Sequence, residues 1–203
     1  MTTIKVGIID YGMGNHASVS NSLRKLGLRV SASADPKVLE LTDILVLPGV
    51  GAFPIAMKEL KKRGLVSLLK SRAEIDKPII GICLGMQLLT SGSWEHEYTT
   101  GLDIIPGEIQ PFIEGGWHIG WNTVEVAQED LILNKCNGLN YYFNHSFHYN
   151  GPDQFKFGLT TYKRPFTSVI RKGNTIGLQF HPEKSQQSGL ILLQSIVEGL
   201  ANA

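Results

Sequence analysis

Only two cysteines, Cys83 and Cys136, stand in this chain of 203 residues. A disulfide framework is therefore excluded, and a reducing cytoplasm is the expected setting. Charge of one sign is missing as well: 19 Lys and Arg against 18 Asp and Glu leave a net +1. The largest basic block is Lys61-Lys62-Arg63, so neither nucleic acid nor an anionic membrane surface is an expected partner. Charged residues of all kinds make up 18%, below the roughly 25% of an average soluble chain, which points to surface covered by a protein partner. No apolar run approaches the roughly 20 residues that span a bilayer. The opening "MTTIKVGIID" enters a strand-like pattern without the form of a signal peptide. Repeats, linkers and low-complexity tracts are lacking too, and the length suits one domain, residues 1–203, with a sizeable core.

What is present has a clear order. "IKVGIID" (4–10) reads as a strand, followed by a "YGMGN" turn. A helix is expected from Asn15 to Leu26, with Asn15 as N-cap and Gly27 closing it. "RVSAS" (29–33), "DILVLPG" (43–49) and "KPIIGIC" (77–83) read as further strands. Residues 53–72 read as helix, broken at Gly64, and 84–91 opens another. Continuous apolar strands alternating with helices predict an α/β domain with an open, mainly parallel sheet. After Gly101 short strands separated by Gly, Pro or Asn predict an antiparallel section. A last helix begins near Ser185, an N-cap candidate, and is expected to bury Leu190, Leu193, Ile196, Val197 and Leu200.

"GICLG" (81–85) has the spacing of the G-x-S-x-G nucleophile elbow with cysteine in place of serine. Such a turn strains the nucleophile's backbone and requires small neighbours, here Gly81 and Gly85. It aims the sulfur at a cleft beside a helix N-terminus that favours anionic sulfur and an oxyanion. The pentapeptide alone fits a small buried hydrophobe equally well. A nucleophile needs a base, and the base an orienting acid. "QFHPEKS" offers His181 at a strand end, with Glu183 two residues on and on the same side of an extended chain. "LPGVGAF" (47–53) offers a glycine-rich turn whose backbone N–H groups suit an oxyanion. All three fall at carboxyl ends of expected strands, where open α/β sheets bind ligands.

Taken in order, "LPGVGAF", "GICLGMQLL", "HIGWN" and "QFHPEKS" resemble the class I, triad-type glutamine amidotransferases. "IIDYGMGN" and "GWHIGWN" make the likeness strongest to the glutaminase subunits of imidazole glycerol phosphate synthases. The resemblance covers essentially the whole chain. It implies a catalytic triad of Cys83, His181 and Glu183. It implies an oxyanion site from Leu84 and the Gly49-Val50-Gly51 segment. It further implies L-glutamine as substrate, contacted by Gln87, Glu95, His145, Ser146 and Phe147. A β/α-barrel cyclase subunit would dock at Asn15, Trp121, Tyr142 and Lys184 and receive ammonia for histidine biosynthesis. No cofactor and no metal are implied. Trp117, Asn144 and Phe147 depart from the usual proline, small apolar residue and tyrosine. Paralogues of this subunit feed ammonia to sugar-amidating enzymes of surface polysaccharide synthesis, an alternative acceptor.

Two other readings compete. "GMGNHA" (12–17) fits a dinucleotide-binding G-x-G-x-x-G/A turn, with Asp35 as the ribose acid. That reading leaves Cys83, His181 and the 47–53 turn unexplained. His145 and His148, with Cys136 upstream, lack the spacing of zinc ligands, so a structural metal is not expected.

Overall fold

The computed structural model describes residues 4–113 and 116–201, the Cys136 side chain excepted. The first half alternates strand and helix: β1 (Lys5–Ile9), α1 (His16–Lys25), β2 (Arg29–Ser33), α2 (Pro36–Glu40), β3 (Ile44–Gly49), α3 (Phe53–Lys62), α4 (Leu65–Glu74) and β4 (Ile79–Cys83). A short helix α5 (Leu84–Leu88) follows, then β5 (Thr90–Ser93), β6 (Thr99–Thr100), β7 (Ile105–Pro111), β8 (His118–Val126) and β9 (Leu139–His145). The chain ends with β10 (Phe147–Asn150), β11 (Lys156–Tyr162), β12 (Arg164–Lys172), β13 (Thr175–Leu178) and α6 (Gln186–Ala201).

The sheet order is β2-β1-β3-β4-β13-β12-β10-β7-β5-β6. From β2 to β13 every pairing is parallel. β12 then turns the sheet antiparallel, and the β11–β8–β9 flap pairs antiparallel beside it. Among the described residues, only β5–β7 is parallel in that second section. The expected α/β fold with an antiparallel second half is the observed one.

β3 and β4 lie at the centre and are buried along their whole length. Successive side chains of a strand face opposite sides, and β3 feeds both layers of the core. Ile44 and Val46 pack with Val19 and Leu23 of α1 and Ile196 of α6. Leu45 and Leu47 pack with Phe53, Met57 and Leu60 of α3 and Leu69 of α4. Gly64, at φ 69°, separates α3 from α4 as expected, because the reversal needs a left-handed residue. Asn15 caps α1 by accepting from the Ser18 amide at 3.2 Å.

Three local expectations differ from the structure. The helix after Cys83 stops at Leu88 rather than 91, where Thr90 Oγ1 donates to the Gln87 carbonyl at 2.7 Å and the chain enters β5. Leu190 is only half-buried, and Leu192 takes its place in the core. The cause is Gly189, which sits so close to the Pro182 carbonyl that an added Cβ would lie 1.8 Å from its oxygen. That approach sets the rotation of α6. Ser185 opens α6 through its backbone carbonyl, but its hydroxyl is engaged elsewhere. Among the described residues, no helix is long and apolar enough to cross a membrane.

Candidate active site

β4 delivers Cys83 to the top of the sheet, beside Gly49 at the end of β3. Its backbone is held at φ 54° and ψ −110°, a region that costs a non-glycine residue about 1–3 kcal/mol. The two glycines of the elbow make this geometry possible. A Cβ on Gly85 would lie 1.7 Å from the Leu47 carbonyl oxygen, and one on Gly81 would lie 2.8 Å from the Gly85 backbone. The thiol is buried apart from its face to the cleft, 6% exposed, and its sulfur lies 3.9 Å from the Asn144 carbonyl oxygen. Because α5 has a single turn, an oxyanion here would be met by individual amides such as Leu84 N–H rather than by a long helix dipole.

His181 faces the thiol. Its Nδ1 is 2.9 Å from Glu183 Oε1, and both side chains are 2% exposed. The carboxylate accepts, so Nδ1 carries a proton and Nε2 is left for the sulfur. The route to this contact differs from the expected extended strand: Pro182–Lys184 is a 3₁₀ turn, which folds Glu183 back under the imidazole. Burial pulls the His181 pKa down, but the Cys83 sulfur and the Glu183 carboxylate outweigh it and lift it to about 10. The pair can therefore hold imidazolium against an anionic sulfur.

A cavity of about 260 Å³ opens over the sulfur, lined by Val50, Gly51, Leu84, Gln87, Glu95, His145, Ser146, Phe147 and His181. These are the residues expected from the sequence, with two exceptions. Gly49 does not line the cavity and supports it from below, and Glu183 stands behind the histidine. Two further lining residues, Trp117 and Asn144, carry no expected role. Their departures form one pair: the Trp117 indole N–H donates to Asn144 Oδ1 at 2.6 Å.

The polar groups of the pocket are preset. Gln87 Nε2 donates to Gln179 Oε1 at 3.1 Å and reaches the Phe147 carbonyl at 3.4 Å, leaving Gln87 Oε1 for a ligand. Glu95 Oε2 accepts from the Phe53 amide at 2.6 Å; it caps α3, whose own N-cap, Ala52, offers no side-chain bond. A line of neutral imidazoles stands behind the pocket. The Phe147 carbonyl only accepts, so His145 Nδ1 donates to it, at 2.7 Å. Burial, helped by neighbouring histidines, pushes the His145 pKa down to about 3 against the pull of that carbonyl. Its Nε2 thus accepts from His118 Nδ1 at 3.0 Å. His118, held near 4 by burial, takes the Asn122 amide on Nε2 at 3.2 Å. Gln179, His118 and Asn122 have no role assigned from the sequence; for Gln179 and His118 the one clue is a polar residue flanked by apolar ones.

The four expected docking residues are partly grouped. Trp121 stands half-exposed on β8 against the ring of Tyr142 on β9, centroids 6.2 Å apart, and Lys184 Nζ lies 5.7 Å over the same ring. Asn15 is on the β1–α1 turn, with its side-chain oxygen already used as a cap. Tyr142 is also tied to His181. Its carbonyl accepts from the His181 amide at 2.8 Å. Its amide donates to Ser185 Oγ at 3.0 Å, and that hydroxyl donates to the His181 carbonyl at 2.6 Å. The "GMGNHA" turn, by contrast, has no waiting ribose acid, because Asp35 caps α2 at the Lys37 amide, 2.9 Å away.

The model of the family "Glutamine amidotransferase class-I" matches residues 7–194. The chain belongs to that family. This amidotransferase is 42% identical to the imidazole glycerol phosphate synthase subunit HisH of Listeria monocytogenes, over 94% of both chains. It is 43% identical to the subunit of the same name from Lacticaseibacillus casei and 39% identical to that from Streptococcus gordonii, again over 94% of each. The fold is shared with a glutamine amidotransferase crystal structure at TM-score 0.74, 18% identity and 98% coverage of this chain and 99% of that one. It is shared also with PurLQS from Thermotoga maritima at TM-score 0.79, 19% identity and coverage of 98% and 100%.

Proposed function

We propose that this amidotransferase hydrolyses L-glutamine to L-glutamate and ammonia as the glutaminase subunit of an imidazole glycerol phosphate synthase. The names of relatives at 39–43% identity support histidine biosynthesis over the surface-polysaccharide alternative. The observation that carries the chemistry is Cys83, strained at φ 54° in a cavity wall and faced by a histidine that Glu183 orients.

The steps follow from that geometry. Cys83 Sγ attacks the side-chain amide carbon, and the carbonyl oxygen becomes an oxyanion met by Leu84 N–H and an amide of the Gly49–Gly51 segment. The His181 imidazolium gives its Nε2 proton to the amide nitrogen, and the C–N bond breaks to release ammonia. The glutamyl thioester remains. His181 then takes a proton from water as the water oxygen attacks the thioester carbon. Collapse expels the sulfur, and glutamate leaves. Gln87 Oε1 and the free oxygen of Glu95 suit the α-ammonium of the substrate, while the 145–147 backbone lines its other side.

Ammonia released into water at neutral pH is protonated and loses its nucleophilic lone pair. A docked acceptor subunit, a β/α-barrel cyclase at the Trp121, Tyr142 and Lys184 cluster with Asn15, avoids that loss. The reducing cytoplasm would keep Cys83 a thiol. The test is glutamine hydrolysis by the chain with and without a cyclase barrel, for the wild type and Cys83→Ala. Turnover that rises with the barrel and falls by about 10³-fold or more in the variant is expected; turnover surviving in Cys83→Ala would refute the mechanism.

A further inference from the structure

The segment 48–53, which carries the oxyanion amides, is fastened at both ends. At its start the Tyr11 hydroxyl donates to the Pro48 carbonyl at 2.9 Å. At its end Glu95 holds the Phe53 amide. Between them Val50 is 43% exposed and Gly51 sits at φ +105°. Tyr11 itself is fully buried among apolar residues, including Leu84 and Leu47. Its oxygen lies directly against Gly49, where an added Cβ would be 2.6 Å away. Gly49 is the register partner of Cys83. The hydroxyl is thus beneath the point where strand and nucleophile meet.

We propose that Tyr11 is a positioning residue for the oxyanion strand: its hydroxyl fixes the Pro48–Gly49 peptide plane and so the direction in which the next amides face Cys83. This deepens the glutaminase reading and rests on it. A peptide plane can turn about its flanking ψ and φ, and glycine at position 49 offers little resistance of its own. The tyrosine hydrogen bond adds resistance at the point where the β3–β4 pairing ends. Burial, reinforced by the nearby Cys83 sulfur, raises the Tyr11 pKa, so the hydroxyl stays a neutral donor and takes no part in proton transfer. It does not line the cavity, which separates positioning from catalysis.

The test compares the full-length wild type with Tyr11→Phe, which keeps the ring that fills the core and removes the donor. Glutamine turnover is measured with a cyclase barrel present, and alkylation of Cys83 by iodoacetamide is followed by mass spectrometry of its peptide. Alkylation is a displacement at saturated carbon and needs the sulfur and access to it, but no oxyanion site. The expected result is a kcat lower by about 5- to 50-fold, part of the roughly 10²–10³ that a whole oxyanion donor is worth. KM and the alkylation rate should stay within about 2-fold, because the pocket and the sulfur are untouched. An unchanged kcat overturns the proposal. So does a parallel fall of kcat and alkylation, which would mean that the nucleophile or the fold was damaged. Absence of turnover in the wild type with the barrel would instead overturn the glutaminase reading.

Discussion

Trp117 and Asn144 share a 2.6 Å hydrogen bond across the rim of the cavity, and the main chain of Asn144 lies beside the Cys83 sulfur. The indole is 61% exposed, so it shapes the entrance rather than the floor. Trp117→Phe keeps a ring and removes the donor. A neutral hydrogen bond is worth about 0.5–1.5 kcal/mol. Steady-state kinetics should therefore show KM for glutamine raised about 2- to 10-fold, with kcat changed by less than about 2-fold.

Cys83 stores backbone strain that a glycine would not feel. Both Cys83→Ala and Cys83→Gly should be inactive, but the glycine variant should be more stable than the alanine variant by about 1–2 kcal/mol in urea denaturation. Equal stability would show that the elbow is relaxed. Gly85→Ala should go the other way, losing about 3 kcal/mol or more, because its Cβ, on the buried helix α5, meets the carbonyl of Leu47 on the central strand β3.

The histidines predict opposite limits to stability. His181 has its pKa raised to about 10 from an unfolded value near 6.5. Its contribution is whole below about pH 6.5 and fades as pH rises towards 10. His118 and His145 are lowered to about 4 and 3. They remain neutral when folded but bind protons when unfolded, so stability falls as pH drops from about 6.5 towards 4. The maximum is expected near pH 6.5. Replacing His118 with Gln should flatten the acid limb by up to about 1.4 kcal/mol per pH unit, measured by denaturation at a series of pH values.

Ser185 is fully buried, and its single hydroxyl serves both Tyr142 and His181. Ser185→Ala leaves the Tyr142 amide unpaired and the His181 carbonyl with the Lys184 amide alone, at a cost of about 1–3 kcal/mol. A drop in kcat larger than the rise in KM is expected, since the imidazole shifts while the pocket remains.

Much of this is legible in residue order. Apolar runs mark β1, β3 and β4, and Gly64 marks the break between α3 and α4, because these features are local. The Cys83 elbow is legible through the small residues its backbone requires, Gly81 and Gly85. What stays hidden depends on contact between distant segments. The spacing puts Glu183 on the His181 side of an extended chain, but the 3₁₀ turn that delivers it is closed by the Lys184 amide and the Ser185 hydroxyl on the His181 carbonyl, which spacing does not show. The buried face of α6 takes Leu192 in place of Leu190 because Gly189 meets Pro182 across a gap no periodicity records. Tyr11, Gln179 and His118 gain meaning from partners 37, 92 and 27 positions away.

The closed loop of hydrogen bonds joining Tyr142 to His181 has a mechanical consequence. The ring of Tyr142 lies outward with Trp121 and Lys184, while its peptide groups grip the imidazole's own main chain from both sides. Pressure on that ring meets a direct main-chain bond to His181 and a second route through the short, buried side chain of Ser185. A load set down on the β8–β9 hairpin therefore has a continuous path of bonds to the main chain of His181.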